Sequence, residues 1–191
     1  MNRFVVISGC SGGGKSALIA ELKARGHAVV TEPGRRIVSQ ERQRMGRALP
    51  WIDPAAFAQR AVQLALHDRV RARAKPGLVF FDRGLVDAAA ALEHATGKRV
   101  LATYAPDRYN PLVFVTPPWP EIFSNDASRR HGLPEAIEEY ERLLDAYASL
   151  DYAIYVLPKL SVVERAEEVL LRLREAGTLG AQSILKSGGI A

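Results

Sequence analysis

The stretch Gly9–Ser16 reads GCSGGGKS, which fits the pattern G-x-x-x-x-G-K-[S/T]. The apolar run RFVVIS at residues 3–8 precedes it and predicts a buried strand, and apolar spacing in residues 15–25 predicts a helix after it. Glycines let backbone N–H groups converge on phosphate oxygens, and the N-terminus of the following helix attracts the same anion. The stretch therefore predicts a phosphate-binding loop between a strand and a helix.

The residue types in this loop indicate how a nucleotide would be held. The Lys15 ammonium can reach the β- and γ-phosphates, and the Ser16 hydroxyl can ligate Mg²⁺. No Asn/Thr-Lys-x-Asp signature for guanine occurs, so ATP is favoured over GTP. The predicted nucleotide-binding residues are Gly9, Ser11, Gly12, Gly13, Gly14, Lys15, Ser16 and Ala17.

Outward from the loop, five short apolar runs alternate with helical patterns. This alternation predicts an α/β fold, a five-stranded parallel sheet with helices on both faces, whose ligands bind at the carboxyl ends of the strands. Ser161 and Glu164 form a capping box for a last helix that ends near Ala176. We predict one domain over residues 1–176 and a loosely ordered tail over 177–191. The predicted strands span residues 3–8, 27–31, 78–81, 112–115 and 152–157. Helices are also predicted over residues 35–45 and after Asp53, an N-cap that Pro54 follows at the first helical position.

Charged residues follow two of these strands directly. Asp82 ends the run LVFF at 78–81, where a carboxylate can hold Mg²⁺ together with Ser16, or cap the next helix, or do both. Glu32 ends the second strand, where it can accept a proton from an acceptor hydroxyl, or be a surface turn residue. Arg83 is placed to hold the acceptor.

Composition narrows the class of protein. The chain has 191 residues, 48% apolar and 25% charged, which excludes wholesale disorder. It has no apolar run of 18 residues, and its single cysteine, Cys10, excludes a disulfide framework and a cysteine zinc site. We therefore expect a cytoplasmic protein without a membrane span.

The net charge of +5 is unevenly distributed. Residues 1–110 hold 18 Lys and Arg against 9 Asp and Glu, whereas residues 111–191 hold 8 against 12. A basic first half fits either solvated helix faces or an anionic ligand. Nucleic acid is a weaker interpretation, because no basic stripe interleaved with aromatic residues is present.

Together, these motifs resemble the nucleoside- and nucleotide-kinase branch of the P-loop NTPases. The loop 116–132 contains Pro118-Trp119 and Asp126-x-x-Arg129, and it is similar to the lid of the nicotinamide-riboside kinase domain and of the AAA-like small ATP-binding proteins grouped with it. The resemblance implies a three-layer P-loop NTPase sandwich. Nucleoside kinases usually have Asp/Glu-Arg-Ser and thymidylate kinases Asp-Arg-Tyr where this chain has Asp82-Arg83-Gly84, so the motif names no acceptor.

The resemblance implies phosphoryl transfer from Mg²⁺-ATP to a nucleoside, nucleotide, vitamin or sugar. Arg129 and Arg130 would be lid arginines that close over the γ-phosphate, with plain surface arginines as the alternative. A nucleotide-binding switch or slow ATPase that signals to a protein partner is the competing function. The kinase needs an enclosed acceptor pocket lined by Glu32, Arg83 and Trp119, whereas the switch needs a positioned water and an exposed surface. The oligomeric state is left open. The predicted catalytic residues are Lys15, Glu32, Asp82, Arg83, Arg129 and Arg130.

Overall fold

The computed structural model describes residues 2–122 and 132–187, the last ten of these as backbone only. The strands in these ranges are β1 (Phe4–Gly9), β2 (Ala28–Val30), β3 (Val79–Asp82), β4 (Leu112–Thr116) and β5 (Ala153–Val156). The helices are α1 (Lys15–Ala24), α2 (Pro33–Arg44), α3 (Pro54–Ala72), α4 (Leu85–Thr96), α5 (Leu133–Ser149) and α6 (Val162–Ser187). No helix in the described part of the chain is long and apolar enough to cross a membrane.

The five strands are parallel, in the order β2-β3-β1-β4-β5. The register aligns their carboxyl ends, because Ile7 of β1 pairs with Asp82 of β3, and Gly9 of β1 pairs with Thr116 of β4. The loop 9–16 therefore leaves the central strand between the ends of its two neighbours. This is the edge where parallel sheets bind ligands.

Side chains of the central strand alternate between two buried layers. Val6 packs in a core formed with α3, α4 and α5, whereas Val5 and Ile7 pack in a second core with α1 and α6. Every residue of β1 is buried, as expected of a strand covered on both faces. The structure thus confirms the predicted three-layer α/β sandwich.

Two helix starts follow from capping side chains. The Asp53 carboxylate accepts a hydrogen bond from the Ala56 N–H at 2.9 Å, and Pro54 occupies the first position of α3. At α6, the Ser161 N–H donates to Glu164 at 2.9 Å, and the Glu164 N–H donates to the Ser161 hydroxyl at 3.3 Å. These contacts confirm the predicted capping box.

The structure corrects two predicted boundaries. The second helix begins at Pro33 rather than Arg35, because proline has a helical φ and the first helical residue needs no N–H partner. The last helix continues to Ser187 instead of ending near Ala176. Gly177 weakens a helix by about 1 kcal/mol relative to alanine without terminating it. Within the predicted loop 116–132, Pro120–Ile122 forms a short 3₁₀ helix, and residues 123–131 lie outside the described part.

Candidate active site

The phosphate loop is built around two glycines that no other residue replaces without strain. A Cβ on Gly9 would overlap the backbone oxygen of Thr116, because the loop passes directly over the end of β4. Gly14 has a φ of 77° and immediately precedes α1, so the helix begins at Lys15 as predicted. The resulting loop directs the N-terminus of α1 toward the sheet edge.

Lys15 lies buried inside this loop. Its ammonium donates to the backbone oxygens of Gly9 at 3.0 Å and Cys10 at 2.6 Å. Burial lowers the Lys15 pKa, and the nearby Arg83 guanidinium lowers it further. An anion bound in the loop would reverse this effect, since it favours the charged ammonium.

Glu32 stands between two arginines at the end of β2, where it directly precedes α2. The Arg35 Nε donates to Glu32 Oε2 at 2.9 Å, and Glu32 Oε1 lies 3.3 Å from the Arg83 Nε. Burial alone would raise the Glu32 pKa, but Arg83, Lys15 and Arg35 outweigh it and lower the value. Glu32 is therefore an ionised carboxylate held in a fixed position.

Arg83 is fixed from the opposite side by Glu139 of α5. The Arg83 Nη1 donates to Glu139 Oε1 at 2.7 Å, and the Ser11 N–H of the loop donates to Glu139 Oε2 at 3.2 Å. Burial would raise the pKa of Glu139, but its ion pair and hydrogen bond with Arg83 lower it to about 2. Arg83 also has a φ of 63°, which non-glycine residues rarely adopt and which is common at functional sites.

Asp82 has the properties of a metal ligand. It is buried, and its Oδ1 has no hydrogen-bond partner among the described residues. Burial raises the Asp82 pKa, and the neighbouring Glu32 carboxylate raises it further, so a cation would relieve both effects. The exposed Ser16 hydroxyl lies at the second position of α1, which lines the phosphate pocket. One carboxylate, one hydroxyl and phosphate oxygens form a donor set that suits Mg²⁺.

Two adjoining cavities meet at these residues. A small one of about 120 Å³ is lined by the phosphate loop, including Gly12, Gly14, Lys15, Ser16 and Ala17. A larger one of about 600 Å³ extends between α2, α3, α4 and α5. The residues that line both cavities are Ser11, Glu32, Arg35 and Arg83.

The walls of the larger cavity are mainly apolar. They include Val38 of α2, Phe57 of α3, and alanines of α3, α4 and α5. Its lining also includes charged groups, and two of them, Glu32 and Arg83, are shared with the phosphate cavity. This is the usual composition of a small-molecule site, in which apolar walls enclose the ligand and a few polar groups orient it.

A buried polar network supports the floor of this cavity. Asp87 accepts hydrogen bonds from the Ser8 hydroxyl at 2.5 Å, the Tyr147 hydroxyl at 2.5 Å and the Gly84 N–H at 2.8 Å. The network joins the end of β1 to α4 and α5. It therefore fixes the two helices that carry part of the cavity wall.

The structure thus brings Lys15, Glu32 and Arg83 together and places Asp82 beneath them. The predicted lid residues Arg129 and Arg130 lie outside the described part of the chain. Glu139 was not predicted, because it is one of several glutamates on a polar helix and no local motif singles it out.

Comparisons with known proteins give one family match and several structural matches. The sequence model of a family described as "AAA domain" matches residues 4–165. Among curated proteins, none matches the chain.

Solved structures with the same fold include two small-molecule kinases. Deoxyadenosine kinase from M. mycoides with bound dATP has a TM-score of 0.53 and 18% identity, covering 90% of this chain and 98% of the kinase. Shikimate kinase from Acinetobacter baumannii in complex with shikimate has a TM-score of 0.55 and 15% identity, covering 91% of this chain and 93% of that one. At these identities the likeness establishes a shared P-loop kinase fold.

Proposed function

We propose that this chain, which belongs to the AAA domain family, transfers the γ-phosphate of ATP to a hydroxyl group of a small molecule. The observation that carries the proposal is the pair of cavities that share Glu32 and Arg83. A transferase needs its nucleotide and acceptor sites to meet at the reacting atoms. An ATPase that only signals needs no second cavity of about 600 Å³ beside its phosphate loop.

The phosphate loop and Lys15 would hold the nucleotide. Backbone N–H groups of the loop and the N-terminus of α1 surround the β-phosphate, and the Lys15 ammonium exchanges its two backbone carbonyls for phosphate oxygens. Asp82 and Ser16 would hold Mg²⁺. When bound, this ion neutralises charge on the phosphates and helps to orient them.

Glu32 would position the acceptor. The acceptor oxygen forms a bond to the γ-phosphorus, the bond from that phosphorus to the β–γ bridging oxygen breaks, and ADP leaves with the electron pair. The hydroxyl proton passes to the Glu32 carboxylate, which its arginine partners keep ionised and oriented. Arg83, fixed by Glu32 and Glu139, lines both cavities and would stabilise charge on the transferred group.

The two solved kinases are consistent with this assignment, since their structures contain dATP and shikimate respectively. The two kinases are named for different acceptors. They therefore support phosphoryl transfer to a hydroxyl group, but they do not indicate which compound this chain would phosphorylate. The cavity supports an acceptor with an apolar or aromatic body, because Phe57, Val38 and several alanines line its walls.

A thermal-shift screen tests the proposal. Nucleosides, nucleotides, vitamins and sugars are added singly with and without a non-hydrolysable ATP analogue and Mg²⁺. We expect at least one hydroxyl compound to raise Tm beyond the analogue alone, because a ligand that binds the folded state stabilises it. An Ala58→Arg variant, which fills the cavity from α3, should lose that increment and keep the response to the analogue. If ATP is hydrolysed and no compound adds to the shift, the switch interpretation replaces the kinase.

A further inference from the structure

Arg165 is a buried cation beside the phosphate loop that the proposed chemistry does not use. It is the fourth residue of α6, and only 3% of it is exposed. A Cβ built on Gly14 would lie 2.9 and 3.0 Å from its two terminal nitrogens, so the guanidinium lies directly across the residue before Lys15. Its Nη1 donates to the Gly13 oxygen at 3.3 Å.

This guanidinium has no negative partner in the described part of the chain. The nearest acids along α6 are engaged elsewhere, since Glu164 accepts from the Ser161 N–H and Glu168 accepts from Tyr155 and Arg172. The Arg165 Nε has no hydrogen-bond partner among the described residues. Removing a charge from water without a counter-charge is unfavourable, and burial lowers the pKa of Arg165.

The surrounding backbone increases the electrostatic cost. Arg165 lies in the first turn of α6, and Gly14 precedes the first turn of α1, so two positive helix ends converge on the guanidinium. Basic residues are disfavoured at helix N-termini for this reason. The two helix ends add to the positive charge of Arg165, which no carboxylate in the described part of the chain balances.

Arg165 also touches the start of the segment predicted as a lid. Its Cζ lies 5.3 Å from the centre of the Trp119 ring, in cation–π geometry. Trp119 follows β4 by three residues and precedes the short helix Pro120–Ile122. One guanidinium therefore contacts the phosphate loop and the first residues after β4.

We propose that Arg165 is a second cation of the nucleotide site, which pairs with the polyphosphate held by the loop and couples its binding to Trp119. This inference rests on the proposed function, because it requires a nucleotide in the loop. The ligand chemistry is that of a nucleoside polyphosphate, and the affinity that Arg165 supplies increases with the number of phosphates. Arg165 thus acts on nucleotide binding and on the position of Trp119, whereas Glu32 acts on the acceptor.

Trp119 fluorescence provides the test. The sequence contains two tryptophans, so Trp51→Phe leaves Trp119 as the single emitter. In this background, Mg²⁺-ATP and ADP should change the Trp119 emission, and adenosine should not. Arg165→Gln should weaken ATP binding roughly 10- to 100-fold, as expected for a lost charge-assisted contact, while adenosine binding stays within about twofold. Arg165→Lys keeps the charge and should retain most of the ATP affinity.

Arg172→Gln is the matched control. Arg172 lies on the same helix and stacks on Tyr155, with its Cζ 5.1 Å from the ring centre, but it pairs with Glu168 and Glu175. This variant should bind ATP as the parent does. Unchanged ATP affinity in Arg165→Gln would overturn the inference and leave the proposed function standing, whereas a parent protein that binds no ATP would overturn both. If Arg165→Gln does not fold, the parent protein alone tests the proposal. ATP binding that is detected by calorimetry but leaves the Trp119 emission unchanged would contradict it.

Discussion

We expect nucleotide binding by the loop to depend on Lys15. Its ammonium is buried against two backbone oxygens, and the bound phosphates would become its partners. Lys15→Ala should weaken Mg²⁺-ATP binding by roughly 100-fold or more, measured by titration calorimetry. Lys23→Ala, at an exposed position of the same helix, should leave the affinity unchanged. A folded Lys15→Ala protein with the parent's affinity would show that the loop assignment is wrong.

A substitution at Glu32 should separate phosphoryl transfer from nucleotide binding. Glu32→Gln keeps the shape of the side chain and removes the proton acceptor, so kcat with an identified acceptor should fall by about 10²–10⁴. ATP affinity should stay within a few-fold, because in the proposed site the loop and Lys15 hold the phosphates. Glu21→Gln, on the outer part of α1, is the control for a lost carboxylate. A loss of ATP affinity together with turnover would instead make Glu32 a metal-binding or structural group.

At the scale of single residues, the sequence predicts those functional residues that belong to a local motif. Lys15 is recognisable because it belongs to the glycine-rich loop pattern. Asp82 is recognisable because it directly follows a predicted strand. Glu139 and Arg165 are 56 residues from Arg83 and 152 residues from Gly13, the residues that they contact. Only the docking of α5 and α6 on the sheet decides which of their charged residues face the site.

An ion pair between Glu139 and Arg83 joins α5 to the residue that follows β3. The Glu139 pKa is about 2 in the folded protein, below its ordinary value of 4.5. A depressed carboxyl pKa stabilises the fold above the ordinary value, and this stabilisation is lost as pH falls from about 4.5 toward 2. Glu139→Gln should therefore lower the free energy of unfolding by about 2 kcal/mol at neutral pH, and the difference from the parent should shrink over that range.

Urea denaturation at several pH values measures this difference. Glu138→Gln is the matched control, because Glu138 is the adjacent, exposed residue and has no ion pair in the described part of the chain. Its stability should follow that of the parent at each pH. A Glu139→Gln deficit that stayed constant down to pH 2 would show that the lost energy is packing rather than charge.

At the scale of elements, strands and capped helices are predictable because their signals are local. Asp53 and the Ser161–Glu164 box predict where α3 and α6 begin, and the structure confirms both. The ends of elements are less predictable. Pro33 suits a helix start as well as a break, and a single Gly177 is too weak a signal to end a helix stabilised by packing of its first half.

At the scale of the whole molecule, nucleotide binding should increase the stability of the folded protein. A ligand present at a hundred times its Kd raises the free energy of unfolding by about 2.7 kcal/mol. For a chain of 191 residues this corresponds to an increase in Tm of roughly 5–10 °C with Mg²⁺-ATP. Lys15→Ala, melted under the same conditions, should show little increase. An equal shift in that variant would place ATP somewhere other than the loop 9–16.

The alternation of strands and helices predicts the three-layer fold, but not the cavity beside the loop. That cavity lies between four helices from separate parts of the chain, and its lining depends on side chains such as Phe57 and Ala88 that resemble ordinary core residues in the sequence. Periodicity shows that a residue is apolar and faces inward. It does not show whether the space that it faces is filled.

The fate of the γ-phosphate tests the central claim most directly. The protein is incubated with Mg²⁺ and ATP labelled in the γ-phosphate, together with the compounds that the thermal-shift screen selects, and the labelled products are separated. We expect the label on an organic hydroxyl compound, formed faster than labelled inorganic phosphate and greatly reduced in Glu32→Gln. Label found only in inorganic phosphate, at a rate that no compound changes, would contradict the kinase and identify an ATPase.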